Sequence, residues 1–314
     1  MGKEKDLSEK ILEEYNDVFA DIVNGIVFKG KPIIQPEDLQ NTMLEAMYRS
    51  VGNGKIRSQE RDVAKIWKKN GIKIALCGLE NQTMVDKYMP LRIMGYEGLS
   101  YRDMLKNGSA DVYPVMTLVL YFGDEHWQSP KSVKGIFADK PYLEEMDGYL
   151  NDVKANICEV AFLTEEEINN FQSDFKIVAN FFASKRKDPD YVPDDKQIMG
   201  HVEDVLWLLS AVTGDNRYRD ICYEKDFEEV HTMCDVAQRL EDRGRVSGLK
   251  EGIKEGIKEG RKEGIKEGGL IMLYRLASEG TITIDQAVNA ALPYGVKNAE
   301  DFRKRAMLAG YNLK

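Results

Sequence analysis

The sequence predicts a mixed α/β fold, a central sheet flanked by helices, continued by a helical extension and a small C-terminal helical module. Three observations carry that expectation. The runs "IKIALCGLE" and "VYPVMTLVLYFG" are short, apolar and rich in β-branched residues, as buried strands are. A segment of helical period, "YMPLRIMGYEGLSYRDML", separates them, which makes the pattern mixed rather than all-β. From Thr164 onward the pattern turns helical.

Taken in order, residues from Leu7 to Phe28 carry Ile11, Leu12, Tyr15, Phe19, Ile22, Val23 and Ile26, one stripe at helical spacing. Gly30, Pro32 and Pro36 close that helix, and "PEDLQNTMLEAMY" is expected to open another short one. Gly52 and Gly54 mark a turn. "RDVAKIW" and "IKIALCGLE" then pair as a hairpin around Lys68 to Gly71. Pro90 suits the first turn of the next helix. "VYPVMTLVLYFG" is the strongest strand, with "ANICEVAFL" as its later partner. Thr164 and Glu167 have capping-box spacing, which starts a helix through "TEEEINNFQSDFKIVANFFASKRK". A further helix comes next in "KQIMGHVEDVLWLLSAVTG".

Residues 248 to 269 repeat a Gly-Lys-Glu pattern every four residues. Each repeat advances about 40° round an α-helix, so no face stays fixed. Glu251, Glu255, Glu259 and Glu263 each precede a lysine by three, which supports a helix, while each glycine costs about 1 kcal/mol against alanine. A marginal, solvated helix or linker is the plain reading; close helix–helix approach through the glycines is the other. The expected organisation is a core over 7–165, a helical extension packed on it over 166–245, the repeat over 246–269 and a helical module over 270–314.

The 314 residues are 43% hydrophobic and 31% charged, with mean hydropathy −0.44. No apolar run approaches the roughly 20 residues of a membrane span, and the charged start "MGKEKDLSEK" is followed by no signal-like apolar segment. A cytoplasmic protein without a membrane partner is expected. Four cysteines form no CxxC pair, so reduced thiols rather than zinc are expected. The formal charge of −9 means that any affinity for DNA must come from a site and not from the overall balance.

The site-like residues are Asp62, Glu80 and Gln82. If the hairpin forms, each of its strands carries an acid, and magnesium commonly takes one or two carboxylates with water and phosphate. Such an ion can activate water against a phosphodiester. The competing reading is that both acids are edge charges that keep a strand soluble. His126 lies beside Trp127 in a loop, and His201 and His231 lack zinc-like spacing. Asp86 and Arg92 are placed to form an ion pair that fixes a helix start.

"RDVAKIW" followed by "IKIALCGLENQT" resembles the core of the PD-(D/E)XK nuclease superfamily. More narrowly it resembles the bacterial recombination-promoting nucleases, or YhgA-like putative transposases, whose second motif is Glu-x-Gln where most of the superfamily has Glu-x-Lys. Asp62 matches the first motif, and Glu80 and Gln82 match the second. "MPLRIMGY", "YPVMTLVLYFG" and His126–Trp127 come after them in the family's order, and the likeness runs from about Tyr15 to Phe182.

The resemblance implies a PD-(D/E)XK restriction-endonuclease-like core and a metal-dependent DNA endonuclease linked to recombination or mobile DNA. Asp62 and Glu80 would hold Mg2+ or Mn2+, and Gln82 would orient water. The absent lysine calls for another cation, from Lys87 at the next helix start or from Arg92. Asp17 in "YNDVFADIVN" matches the family's opening aspartate, a further metal ligand, unless it simply belongs to a solvated face with Glu14 and Asp21. DNA and a second copy of the chain are the expected partners. A DNA-binding protein on the same fold with weak or no turnover, and an assembly protein acting through the repeat, are the alternatives.

Overall fold

Turn chemistry sets the centre of the fold. Asn70 and Gly71 both have positive φ, 50° and 80°, the backbone of a two-residue hairpin turn whose twist matches that of its strands. They join β4 (Val63–Lys69) to β5 (Ile72–Gln82), antiparallel, with Val63 opposite Leu79. The computed structural model describes residues 12–42, 45–49, 56–60, 62–106 and 112–313. The expected turn at Gly52 and Gly54 lies outside them.

β5 is the middle of a five-stranded sheet. β1 (Leu39–Asn41) pairs antiparallel with β4, and β6 (Val115–Tyr121) pairs parallel with β5. β7 (Asn156–Glu159) pairs parallel with β6 at the far edge. β2 (Glu45–Arg49) and β3 (Ile56–Glu60) form a separate antiparallel pair. The α/β class read from the sequence is therefore the class observed.

One face of the sheet, with Val63, Cys77, Leu79, Leu118 and Leu120, packs against α1 (Asn16–Val27) through Val18, Phe19, Ile22 and Val23. The other face packs against α2 (Met89–Lys106), through Met89 and Ile93 beside Val119 and Tyr121. Each such side chain contributes about 1.5–3 kcal/mol on burial, so β5 is held from both sides and its end is a rigid platform.

Three local expectations are corrected. The first helix breaks at Tyr15: residues 12–14 are helical, Tyr15 is extended (φ −68°, ψ 131°), and α1 starts at Asn16. Tyr15 stacks on His201 with ring centroids 3.7 Å apart, and Asn16 donates to the Pro36 carbonyl, so tertiary contacts outbid the helical period. "PEDLQNTMLEAMY" forms only a 3-10 turn, Pro36–Asp38, and then turns into β1, because pairing with β4 completes the sheet edge. The segment after Thr164 is two helices. Two short helices, α3 (Val133–Ile136) and α4 (Leu143–Met146), precede it. The Thr164 capping box then starts only the short α5 (Glu165–Ile168), and Ser173 caps a separate α6 (Asp174–Lys187). Asp21 fixes that second start by accepting from Ser173 N, Ser173 Oγ and Gln172 N.

α6, α7 (Val202–Thr213) and α8 (Asn216–Ile221) complete the first core, contributing Phe175, Val178, Leu206, Leu209 and Ile221. By its internal contacts the chain divides into Met1–Leu240 and Glu241–Lys314. The repeat lies inside one unbroken helix, α9 (Met233–Ser278). α10 (Ile284–Ala291) and α11 (Ala299–Leu308) pack with the end of α9 in a second core of Leu270, Tyr274, Ala287, Val296 and Phe302.

Candidate active site

The hairpin register creates the central pairing. The paired register ends at Val63 opposite Leu79. Asp62, just before β4, and Glu80, near the end of β5, thus stand at the adjoining ends of the two strands, and the same register carried one step further would set them across from each other. Directly opposed residues have Cβ atoms roughly 4.5–5.5 Å apart, and like charges there repel unless a cation intervenes. Asp62 Oδ2 accepts from the Asn81 backbone N–H at 2.7 Å, which fixes the strand end.

Glu80 has a cation of its own. Arg92, one turn into α2, places Nη2 against Glu80 Oε1, and Nη1 lies 3.1 Å from Asp86 Oδ2. The ion pair read from Asp86 and Arg92 is thus present, but the same guanidinium also holds Glu80. Gln82 Nε2 donates to Glu80 Oε1 at 3.3 Å, and the Tyr96 hydroxyl lies 3.4 Å from the same oxygen. Arg92 Nη2 also donates to Tyr96 at 3.1 Å. Glu80 is only 2% exposed.

The electrostatics follow from that burial. Desolvation pulls the Arg92 pKa down, but Glu80, Tyr96 and Asp86 outweigh it, so the net shift is upward and the charge is secure. Burial and then the Glu80 charge push the Tyr96 hydroxyl up to about 12, which keeps it a donor.

Of the residues expected at the site, the structure gathers Asp62, Glu80, Gln82 and Arg92. Lys87 is exposed, with its ammonium 5.9 Å from the Tyr88 ring centroid, and makes no ion pair with a described residue. Asp17 is bonded elsewhere: its Oδ2 lies 3.1 Å from His201 Nε2. The break at Tyr15 takes Glu14 off the helical face that Asp17 and Asp21, four residues apart in α1, still share. His126 contacts Glu159 at 2.7 Å and stacks on Phe162.

Three participants escaped the sequence reading. Glu13, fully buried, accepts from Asn81 Nδ2 at 3.0 Å. By strand alternation Asn81 points away from Glu80, so Glu13 steadies the strand end from the opposite face. Its neighbour Glu14 offers its carbonyl to the buried Lys65 Nζ at 2.8 Å. Burial lowers the Lys65 pKa, with Glu14 opposing the shift. The helix stripe could not single out Glu13, because the break at Tyr15 resets its phase. Tyr96 did carry a signal: it follows Arg92 by four, on one helix face.

Asp62 and Glu80 suit a hard divalent cation of the kind that takes two protein carboxylates and completes its shell with water and phosphate oxygens. Among the described residues no group of three or more His, Cys, Asp or Glu side chains is arranged to hold a metal ion.

Two carboxylates at the ends of adjoining strands, one of them buried and held by an arginine and an amide, thus stand at the centre of an α/β sheet. Residues 64–210 match the family model described as "Putative transposase, YhgA-like". The match takes in Glu80, Gln82, Lys87, Arg92 and His126, and begins two residues after Asp62. No curated protein and no solved structure matches the chain.

Proposed function

We propose that this protein is a divalent-metal-dependent DNA endonuclease with a PD-(D/E)XK-like site, acting on mobile or recombining DNA. The observation that carries the reading is the place of Asp62 and Glu80 at the adjoining ends of β4 and β5, with Arg92 and Gln82 both directed at Glu80. The family description, a transposase, supports a role tied to mobile DNA.

In this reading Asp62 and Glu80 hold Mg2+ or Mn2+. When bound, the ion polarises the phosphodiester and lowers the pKa of a coordinated water. Gln82 orients by hydrogen bonding and brings no charge. Arg92 supplies the positive charge that a lysine gives in other members of the superfamily. Its forked guanidinium can keep one arm on Asp86 while the other turns from Glu80 to a phosphate oxygen. Tyr96, protonated, offers a donor to Glu80 when Arg92 leaves.

Nicking of supercoiled plasmid, with and without magnesium, tests the proposal. Glu80→Ala should lose cleavage by more than about 100-fold, since removing groups that merely support a ligand already costs 10–100-fold. Wild-type nicking by a folded Glu80→Ala protein would refute the site.

A second reading has its own support. Arg92 already neutralises Glu80, which favours a DNA-binding protein with little turnover. Calorimetric titration with magnesium separates the two: the endonuclease binds the ion and loses that binding in Glu80→Ala, whereas the non-catalytic protein binds none.

A further inference from the structure

The repeat helix contributes one irregularity that the carboxylate site does not use. Along Gly248–Gly264 the residue after each glycine is Leu249, Ile253, Ile257, Arg261 and Ile265, so a single cation interrupts an apolar position. Within Glu241–Lys314 that same stretch faces Pro293 and Tyr294. Lys258, Arg261, Lys262, Ile265, Lys266, Pro293 and Tyr294 line a groove of about 380 Å3. Gly269 seats the tyrosine, since a Cβ there would come within 2.9 Å of the ring.

Lys258, Lys262 and Lys266 succeed one another at four-residue steps, drifting about 80° in all, and Arg261 fills the flank that the drift vacates. Glu259 and Glu263 fall roughly 100° and 140° round the helix from Lys258, on the flank beyond Lys266, and do not line the groove. All four cations are exposed, and none forms an ion pair with a described residue. Charge is segregated along the chain as well. Residues 241–314 carry a net charge of +3, and residues 1–240 carry −12.

We infer that this groove is a second, sequence-independent contact for duplex DNA, taken through the phosphate backbone. The four cations extend over about 12 Å of helix rise, which faces three or four phosphates of one strand. Compact ammonium groups on flexible stems suit phosphates as point charges, and Arg261 adds a fork. The aromatic and proline wall gives the strand an apolar side. The inference rests on DNA being the substrate class proposed above, but it needs no cleavage.

The test is fluorescence anisotropy of a short labelled duplex with the full chain in EDTA, across a series of salt concentrations. Replacing Lys258, Arg261, Lys262 and Lys266 together by Gln should weaken binding roughly ten-fold or more at low salt. It should also make the slope of log K against log salt shallower by about 3. A control that removes four charges outside the groove, Lys250, Lys254, Arg303 and Lys304 to Gln, should leave the slope near the wild-type value. Lys→Arg at 258, 262 and 266 should preserve binding. The inference is overturned if the wild-type chain binds no duplex, if the groove variant binds like wild type, or if both four-charge variants weaken alike. Groove-dependent binding without plasmid nicking sinks the endonuclease reading alone, and nicking with groove-independent binding sinks this inference alone.

Discussion

The acids of the carboxylate site and those of the repeat helix behave differently, although it is the repeat that sets acids and cations at a regular spacing. Glu80 is held by Gln82 on its own strand and by Arg92 and Tyr96 on the next helix, and Glu13 by Asn81 from 68 residues away. Along α9, Glu255, Glu259 and Glu263 each precede a lysine by three, yet none forms an ion pair with a described residue. Spacing along a helix brings charges near one another, and solvent then competes for them at little cost. Convergence of separate elements on a buried strand end removes the solvent, and there the partner becomes necessary.

Removing a buried acid sharpens the contrast most. Glu13→Ala should destabilise residues 1–240 by roughly 1–3 kcal/mol, because Asn81 Nδ2 is left buried without this acceptor. Glu13→Gln, which keeps an oxygen, should cost less. Trp67, Trp127 and Trp207 are the chain's three tryptophans and all lie in that region, so urea unfolding followed by their fluorescence reads the effect. Equal losses in the two variants would break the argument from burial.

Arg92→Lys comes next. A lysine cannot span Glu80 and Asp86 with a planar fork, and a loss of about 1 kcal/mol is expected together with reduced nicking. An unchanged variant would show that any cation serves.

Glycine tests the other region. No heavy atom beyond its own helix backbone and chain neighbours lies within 4 Å of a Cβ built at Gly256, so Gly256→Ala should stabilise α9 by about 0.5–1 kcal/mol. Thermal melting by far-UV circular dichroism checks this. A destabilised helix, or an altered mass in light scattering, would mean that the glycines pack against another molecule.

Acid should separate the regions further. For Glu159, burial acts to raise the pKa, but His126 and Lys131 outweigh it and the net shift is downward. For Asp235, burial is likewise outweighed, by donors from His231 and Thr232. A lowered carboxylate pKa contributes stability that is full above the ordinary value, near 4, and is lost as pH falls through the lower folded value. The tryptophan-detected transition should therefore weaken below about pH 4, and Glu159→Gln should reduce that dependence. The smallest effect belongs to Glu255→Gln, which should change stability by no more than a few tenths of a kcal/mol. A larger loss would mean that the repeat is held by charge pairing after all.

The candidate site was legible in part because strand pairing obeys a period of two. Once "RDVAKIW" and "IKIALCGLE" meet around Asn70–Gly71, the place of Asp62 and Glu80 at adjoining strand ends comes from register alone. Asp86 and Arg92 were legible because both lie at the start of one helix. Sequence by itself determined the α/β class, the hairpin, the strongest strand and the helical character of the segment after Thr164. These depend on local period, turn residues and caps. Only the tertiary structure decided that Tyr15 breaks the first helix, that Leu39–Asn41 is a strand, that Glu13 and not Asp17 supports the strand end, and which lysines of a uniform repeat face Tyr294. Each of those depends on a partner far away in the chain, His201, β4, Asn81 and Pro293–Tyr294 in turn, and a local pattern carries no record of the contact that overrides it.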